Sequence, residues 1–171
     1  MLEVRRIRLA DAASFRECLH HVAAESGNLL TLEAPPTERV ESFVRLLLAE
    51  DLPQYVAVDD GRVVGWCDIR REEAEAMAHV GLLGMGVHVD YRGRGLGRQL
   101  MERCLEHAPR LGLERVGLEV FASNRPAVAL YESMGFRHEG VRRHALKRAG
   151  RVEDLVVMAW FAPGVALASE A

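Results

Sequence analysis

Ten residues, Tyr91 to Leu100 (YRGRGLGRQL), constrain the fold of this chain more than any other stretch. Glycine alternates at 93, 95 and 97, and Arg92, Arg94 and Arg98 stand among or beside them. The apolar, glycine-interrupted run HVGLLGMGVHV precedes it and reads as a strand bracketed by β-branched Val80, Val87 and Val89. A helical pattern follows from about Leu96 to His107, with Leu100, Met101 and Cys104 inward. In a strand, glycine turn and helix, the first N–H groups of the helix lack internal partners and the helix dipole adds positive potential. Glycine lets that backbone approach an anion without a Cβ in the way. Arginine adds fork-shaped donors suited to phosphate. The stretch therefore predicts a site for a phosphate-bearing small molecule.

Composition says that this site is local. The 171 residues suit one domain with a sizeable core. The formal net charge is -3, which argues against a general nucleic-acid binder. Cys18, Cys67 and Cys104 are far apart and form no CxxC pair, so neither a metal site nor a disulfide framework is expected, and reduced thiols suit a cytoplasmic protein. The first fifteen residues lack the apolar core of a signal peptide, and no apolar run reaches membrane-spanning length. Two phosphate-loop alternatives also fail. The glycine spacing is G-x-G-x-G, where a dinucleotide fingerprint needs G-x-G-x-x-G, and no Gly-Lys-Ser or Gly-Lys-Thr is present for a nucleoside-triphosphate loop.

The remaining elements read in order. A first strand covers EVRRIRLA, and Asp11 is a plausible N-cap for a helix with Phe15, Leu19 and Val22 on one face. A loop, SGNLLTLEAPP, leads to a helix from about Thr37 with Val40, Val44 and Leu47 inward. QYVAVDDGRVVGWCDIR is a hairpin about Asp-Asp-Gly, and REEAEAMA a charged loop. ERVGLEVFA is a strand whose two faces carry Val116, Leu118 and Val120 on one side and Gly117, Glu119 and Phe121 on the other. NRPAVALYESMGF is a short helix with Pro126 in its first turn and Gly135 at its end. Two more strands, about Phe136 to Leu146 and Val152 to Phe161, close the chain. Residues 1–162 form one expected domain and residues 163–171 a flexible tail.

On these residues the chain resembles the GNAT superfamily of N-acetyltransferases. VHVDYRGRGLGRQLM looks like that family's coenzyme A loop, with Arg92, Gly95 and Gly97 at its marked positions, and LEVFASNRPAVALYESMGF supplies a second block through Asn124, Tyr131 and Gly135-Phe136. The resemblance runs from about Val4 to Phe161. It implies an α/β fold: a mixed, mostly antiparallel central sheet flanked by helices, with two splayed strands binding acetyl-CoA. It implies pantetheine contacts at Val87, His88 and Val89 and at Asn124. The pyrophosphate would lie on Arg92, Gly93, Arg94, Gly95, Leu96, Gly97 and Arg98. The Tyr131 hydroxyl would stand beside the thioester sulfur.

The implied activity is acetyl transfer from acetyl-CoA, a co-substrate, to a primary amine of a small molecule or amino acid by direct attack, with no metal. A protein or peptide N-terminus is the alternative acceptor, and a non-catalytic coenzyme A sensor the alternative from another class. Such a transfer needs a base for the amine proton, a donor for the oxyanion and a donor for the leaving thiolate. Tyr131 is the candidate acid and Glu119 the candidate base. The strand from His79 to Val89 carries no carboxylate, unlike family members that keep their base there, so His79 and His88 are substitutes. Glu33, Asp68 and His79 are candidates for holding the acceptor. No nucleic acid or membrane partner is expected, and a homodimer is.

Overall fold

A computed structural model describes residues 1–25, 29, 33–148 and 150–167. Part of the expected loop (26–28 and 30–32), residue 149 of the last turn and residues 168–171 of the expected tail lie outside the described residues. The elements run β1 (Leu2–Arg6), α1 (Ala12–Ala24), α2 (Thr37–Ala49), β2 (Gln54–Asp59), β3 (Arg62–Arg71), β4 (Val80–Val87), α3 (Leu96–His107), β5 (Arg115–Phe121), α4 (Arg125–Ser133), β6 (Arg137–Arg148) and β7 (Arg151–Phe161). The strands form one sheet in the order β1-β2-β3-β4-β5-β7-β6. Every neighbouring pair is antiparallel except β4 with β5.

Both faces of this sheet are covered, so its middle strands are apolar on both sides. On one face Leu100, Met101 and Cys104 of α3 pack with Cys67 and Ile69 of β3, Val116 and Leu118 of β5, and Tyr131 of α4. On the other, Phe15, Cys18 and Val22 of α1 and Val40 and Val44 of α2 pack with Val56, Val58 and Trp66. Phe15 meets Trp66 edge to face, with ring centroids 5.6 Å apart. The β2–β3 hairpin turns on Asp60 (φ 46°) and Gly61 (φ 80°), the doubly left-handed geometry for which Asp-Gly is suited.

Two local expectations are corrected. Asp11 does stand at the N-cap position of α1, but its side chain makes no capping bond to that helix. Its carboxylate instead accepts from the Arg8 N–H at 2.7 Å and from the Arg5 guanidinium at 2.7 and 2.9 Å, which tie β1 to the short turn before the helix. The charged REEAEAMA segment is not all loop: β3 continues through Arg71, and a 3-10 turn covers Glu75–Met77.

Candidate active site

β4 and β5 pair at only three positions: Val80 with Arg115, Gly81 with Val116, and Leu82 with Gly117. Beyond Leu82 they part. β4 keeps β3 along its other edge as far as Val87, and β5 keeps β7 as far as Phe121. Each strand thus holds one partner, while beyond Leu82 the edges facing each other make no strand pairing with each other. A cleft of about 1150 Å³ occupies this gap and extends to both faces of the sheet.

One end of the cleft is the start of α3. Gly93 and Gly95 have φ of 72° and 77°, so the turn needs residues without a Cβ penalty. Among the described residues no side chain caps the helix, which leaves its first N–H groups facing the cleft. Gly97 has a packing reason as well: a Cβ there would stand 3.1 Å from Leu130 and 3.2 Å from Met85, tighter than ordinary contact. The three arginines are only partly available to a ligand. Arg92 donates to the Val87 carbonyl at 2.9 Å and pairs with Glu25 at 2.8 Å. Arg98 donates to the Ser133 hydroxyl at 2.8 Å. Arg94 donates to the Asp90 carbonyl at 2.9 Å, lies over the Tyr91 ring, and faces a second, smaller pocket.

In the middle of the cleft, α4 presents Tyr131. Its side chain is almost wholly buried, its ring packs against Phe136 at 5.7 Å, and its hydroxyl makes no hydrogen bond among the described residues. Burial pushes its pKa well above the ordinary value, so the hydroxyl stays a donor at any working pH. Asn124 begins α4, and its side-chain oxygen accepts the Ala127 N–H at 3.3 Å.

An uncapped helix start at one end of a strand gap and a buried, unengaged tyrosine hydroxyl at its middle suit a ligand with a phosphate head and a reacting tail. A model of the acetyltransferase (GNAT) family matches residues 16–136. The chain belongs to the GNAT family. Its relatives include the ribosomal protein bS18-alanine N-acetyltransferase of Escherichia coli (strain K12), 40% identical over 78 residues. That match covers 46% of this chain and 53% of the relative, so the chain spans about half the length of these first relatives. The L-amino acid N-acetyltransferase AaaT of the same organism is 33% identical over 130 residues, covering 75% of this chain and 80% of AaaT. Among solved structures, a GNAT-family acetyltransferase of Streptococcus pneumoniae superposes with a TM-score of 0.87 at 26% identity, over 94% of this chain and 99% of that one. The yncA protein of Salmonella typhimurium, solved with its cofactor acetyl-CoA, superposes with a TM-score of 0.91 at 20% identity, over 100% and 99%. At that identity the likeness is one of fold.

This GNAT chain brings most of the expected site residues together. Val87, Arg92, Gly93, Gly95, Leu96, Gly97, Arg98, Asn124, Tyr131, Glu119 and Asp68 all line the cleft. His88, Val89 and Arg94 do not. β4 ends at Val87, and the His88 N–H donates to the Val64 carbonyl. The His88 ring packs on His21 and Tyr91 beside α1, its Nδ1 accepting from the Asp90 N–H, while Val89 is exposed in the turn that follows. His79 stands at the opposite, paired end of β4, where its carbonyl accepts the N–H groups of Glu114 and Arg115. Glu33 is exposed and outside the cleft lining. Among the described residues no cluster of His, Cys, Asp and Glu is arranged to hold a metal ion, and no helix is long and apolar enough to cross a membrane.

The two carboxylates in the cleft have different surroundings. Glu119 is partly exposed and pairs with Arg142 of β6 at 2.6 Å. Asp68 is buried. Burial lifts its carboxyl from the ordinary 3.8 to about 7, against the opposing charge of Arg70 and a hydrogen bond from Trp66. Sequence reading gave no role to Arg39 or Arg70, which also line the cleft and make no salt bridge or side-chain hydrogen bond among the described residues. The signal was present in the period-2 pattern of β3, which sets Trp66, Asp68 and Arg70 on one face.

Proposed function

We propose that this chain is an acetyl-CoA-dependent N-acetyltransferase whose acceptor is a small primary amine, with amino acids the favoured class. The observation that carries the reading is the parting of β4 and β5 beyond Leu82, with the uncapped start of α3 at one end of the gap and the Tyr131 hydroxyl inside it. In this reading the α3 turn takes the pyrophosphate and the β4 edge that has parted from β5 takes the pantetheine amides. A backbone N–H of that edge, near Val87, stabilises the oxyanion. The amine attacks the thioester directly, since holding two reactants side by side supplies most of the rate advantage. The Tyr131 hydroxyl donates to the departing thiolate.

The acceptor half of the cleft supports an amino acid over a peptide N-terminus. Phe15, Leu19, Val22 and Phe43 give it apolar walls, and Arg39 and Arg70 bring two guanidiniums that make no salt bridge among the described residues. A free α-carboxylate suits such donors, and a peptide N-terminus has none beside its amine. The relation to AaaT points the same way, and the relation to the bS18-alanine enzyme keeps the peptide as the second reading. Thiol release from acetyl-CoA with free amino acids, their amides and an alanine-leading peptide separates the two. Free amino acids should be preferred over their amides by at least tenfold in kcat/KM. Equal rates would favour the peptide reading. A homodimer through the exposed edge strand β6 also belongs to the proposal, and a monomer mass by light scattering at micromolar concentration would count against it.

A further inference from the structure

We infer that the group removing the acceptor's proton is Asp68, reaching over β4 from the neighbouring strand, and not the carboxylate of Glu119. The inference rests on the acetyltransferase reading above. It starts from a gap in the chemistry: β4 borders the cleft but carries no carboxylate from Val80 to Val87. On the face of β4 toward α1 and α2, the positions beyond Leu82 are Gly84 and Gly86, while Leu83, Met85 and Val87 turn into the opposite core. With no side chains on that face, β4 is thin enough for β3 to lean across it.

The register brings Trp66 opposite Gly86 and Asp68 opposite Gly84. A Cβ at Gly86 would overlap the Trp66 ring, and one at Gly84 would stand 3.5 Å from both Asp68 carboxylate oxygens. The carboxylate thus lies over the backbone of Gly84, in the part of β4 that has left β5, and lines the cleft while remaining buried. On its other side, β2 places Gln54 directly opposite Asp68, so the two side chains share a face. Gln54 is buried, and among the described residues neither its amide nitrogen nor its amide oxygen has a hydrogen-bond partner. Buried polar groups are ordinarily satisfied. Of the two, Asp68 lines the cleft, and Gln54 stands beside it outside the lining.

Among the described residues the charges around Asp68 are few. Arg70 is on its own strand, Arg39 of α2 lines the same cleft, β4 offers only glycine and β2 only the neutral Gln54. Glu119 stands across the gap on the same sheet face, but its carboxylate is already engaged with Arg142 of β6. Burial leaves Asp68 titrating near 7, matched to an amine at neutral pH. In the step itself, the amine lone pair forms the C–N bond at the thioester carbonyl and the nitrogen's proton passes to an Asp68 carboxylate oxygen. The C–S bond breaks with its electron pair leaving on sulfur, where the Tyr131 hydroxyl donates to it. The proton on Asp68 then equilibrates with solvent, as does the thiolate.

The test is the pH profile of kcat/KM for the best small amine, for wild type, Asp68→Asn and Glu119→Gln, beside the thermal shift each gives with acetyl-CoA. Wild type should gain activity through a break near pH 7. Asp68→Asn should keep the acetyl-CoA shift, lose roughly 10²- to 10⁴-fold in kcat/KM and lose that break. Glu119→Gln should keep the break. A folded Asp68→Asn protein with the wild-type break, or a Glu119→Gln protein that has lost it, overturns the assignment while leaving the acetyltransferase reading intact. An Asp68→Asn protein with raised KM and the break retained makes Asp68 an acceptor-binding group only. A wild type that releases no thiol with any amine overturns the acetyltransferase reading, and this assignment with it.

Discussion

The burial of Asp68 has a consequence for stability that requires no substrate. Its carboxyl titrates at about 7 in the folded chain and near 3.8 when unfolded. Between those values the folded state holds a proton that the unfolded state has released, so stability falls as pH rises from about 4 to about 7 and is level above. At about 1.4 kcal/mol per pH decade, the full loss is about 4 kcal/mol. Asparagine has nearly the same shape and cannot ionise, so Asp68→Asn should escape this loss. Thermal unfolding of wild type and variant at pH 4, 5, 6, 7 and 8 checks it. The difference between the two proteins isolates this group, because every other titration is shared. For a chain of this length 1 kcal/mol moves Tm by about 2–4 °C. The variant's advantage should therefore grow with pH to about 10 °C by pH 8. Any constant cost of burying the amide shifts all points equally and leaves the trend. A Tm difference that stays flat from pH 4 to 8, or shrinks, would refute a buried, ionising Asp68.

Acetyl-CoA should raise Tm by mass action, and Gly95→Asp should remove most of the rise, because it sets a side chain and a negative charge at a φ of 77° where the helix start faces the cleft. An unchanged shift in a folded Gly95→Asp protein would move the phosphate site elsewhere. Tyr131→Phe should lower turnover roughly 10- to 1,000-fold while acetyl-CoA affinity barely changes, and full turnover would remove the hydroxyl from the mechanism. Replacing Arg39 or Arg70 by Gln should raise KM for free amino acids and leave their amides little affected; equal effects on both would mean that neither guanidinium meets the carboxylate.

Much of the fold was legible because its signals are local. The Asp-Gly hairpin, the glycine turn before α3, Pro126 in the first turn of α4 and Gly135 after it each act through backbone conformation within a few residues. The pattern on β5 was readable for the same reason, since alternation alone assigns Glu119 to one face and Leu118 to the other. Other features needed three-dimensional register. That Asp68 lies over Gly84 depends on how β3 pairs with β4, and the sequence shows a strand rich in glycine without saying which neighbour fills the space. His88 sits in a motif-bearing segment, yet β4 ends one residue earlier and the ring turns toward α1. Arg94 looks equivalent to its neighbours in sequence, but the left-handed turns at Gly93 and Gly95 direct it to the other pocket. His79 is close to the strand in sequence and at the wrong end of it in space.

The central claim is that the strand gap transfers an acetyl group. Its most direct measurement is free thiol released from acetyl-CoA by the purified protein across a panel of amino acids and small amines, with acetylated product counted by mass spectrometry. The expected result is thiol and acetylated amine in equal amounts with at least one free amino acid, lost in Asp68→Asn and greatly slowed in Tyr131→Phe. A protein that acetyl-CoA stabilises but that releases no thiol above the blank with any amine would contradict it and leave a coenzyme A-binding sensor in its place.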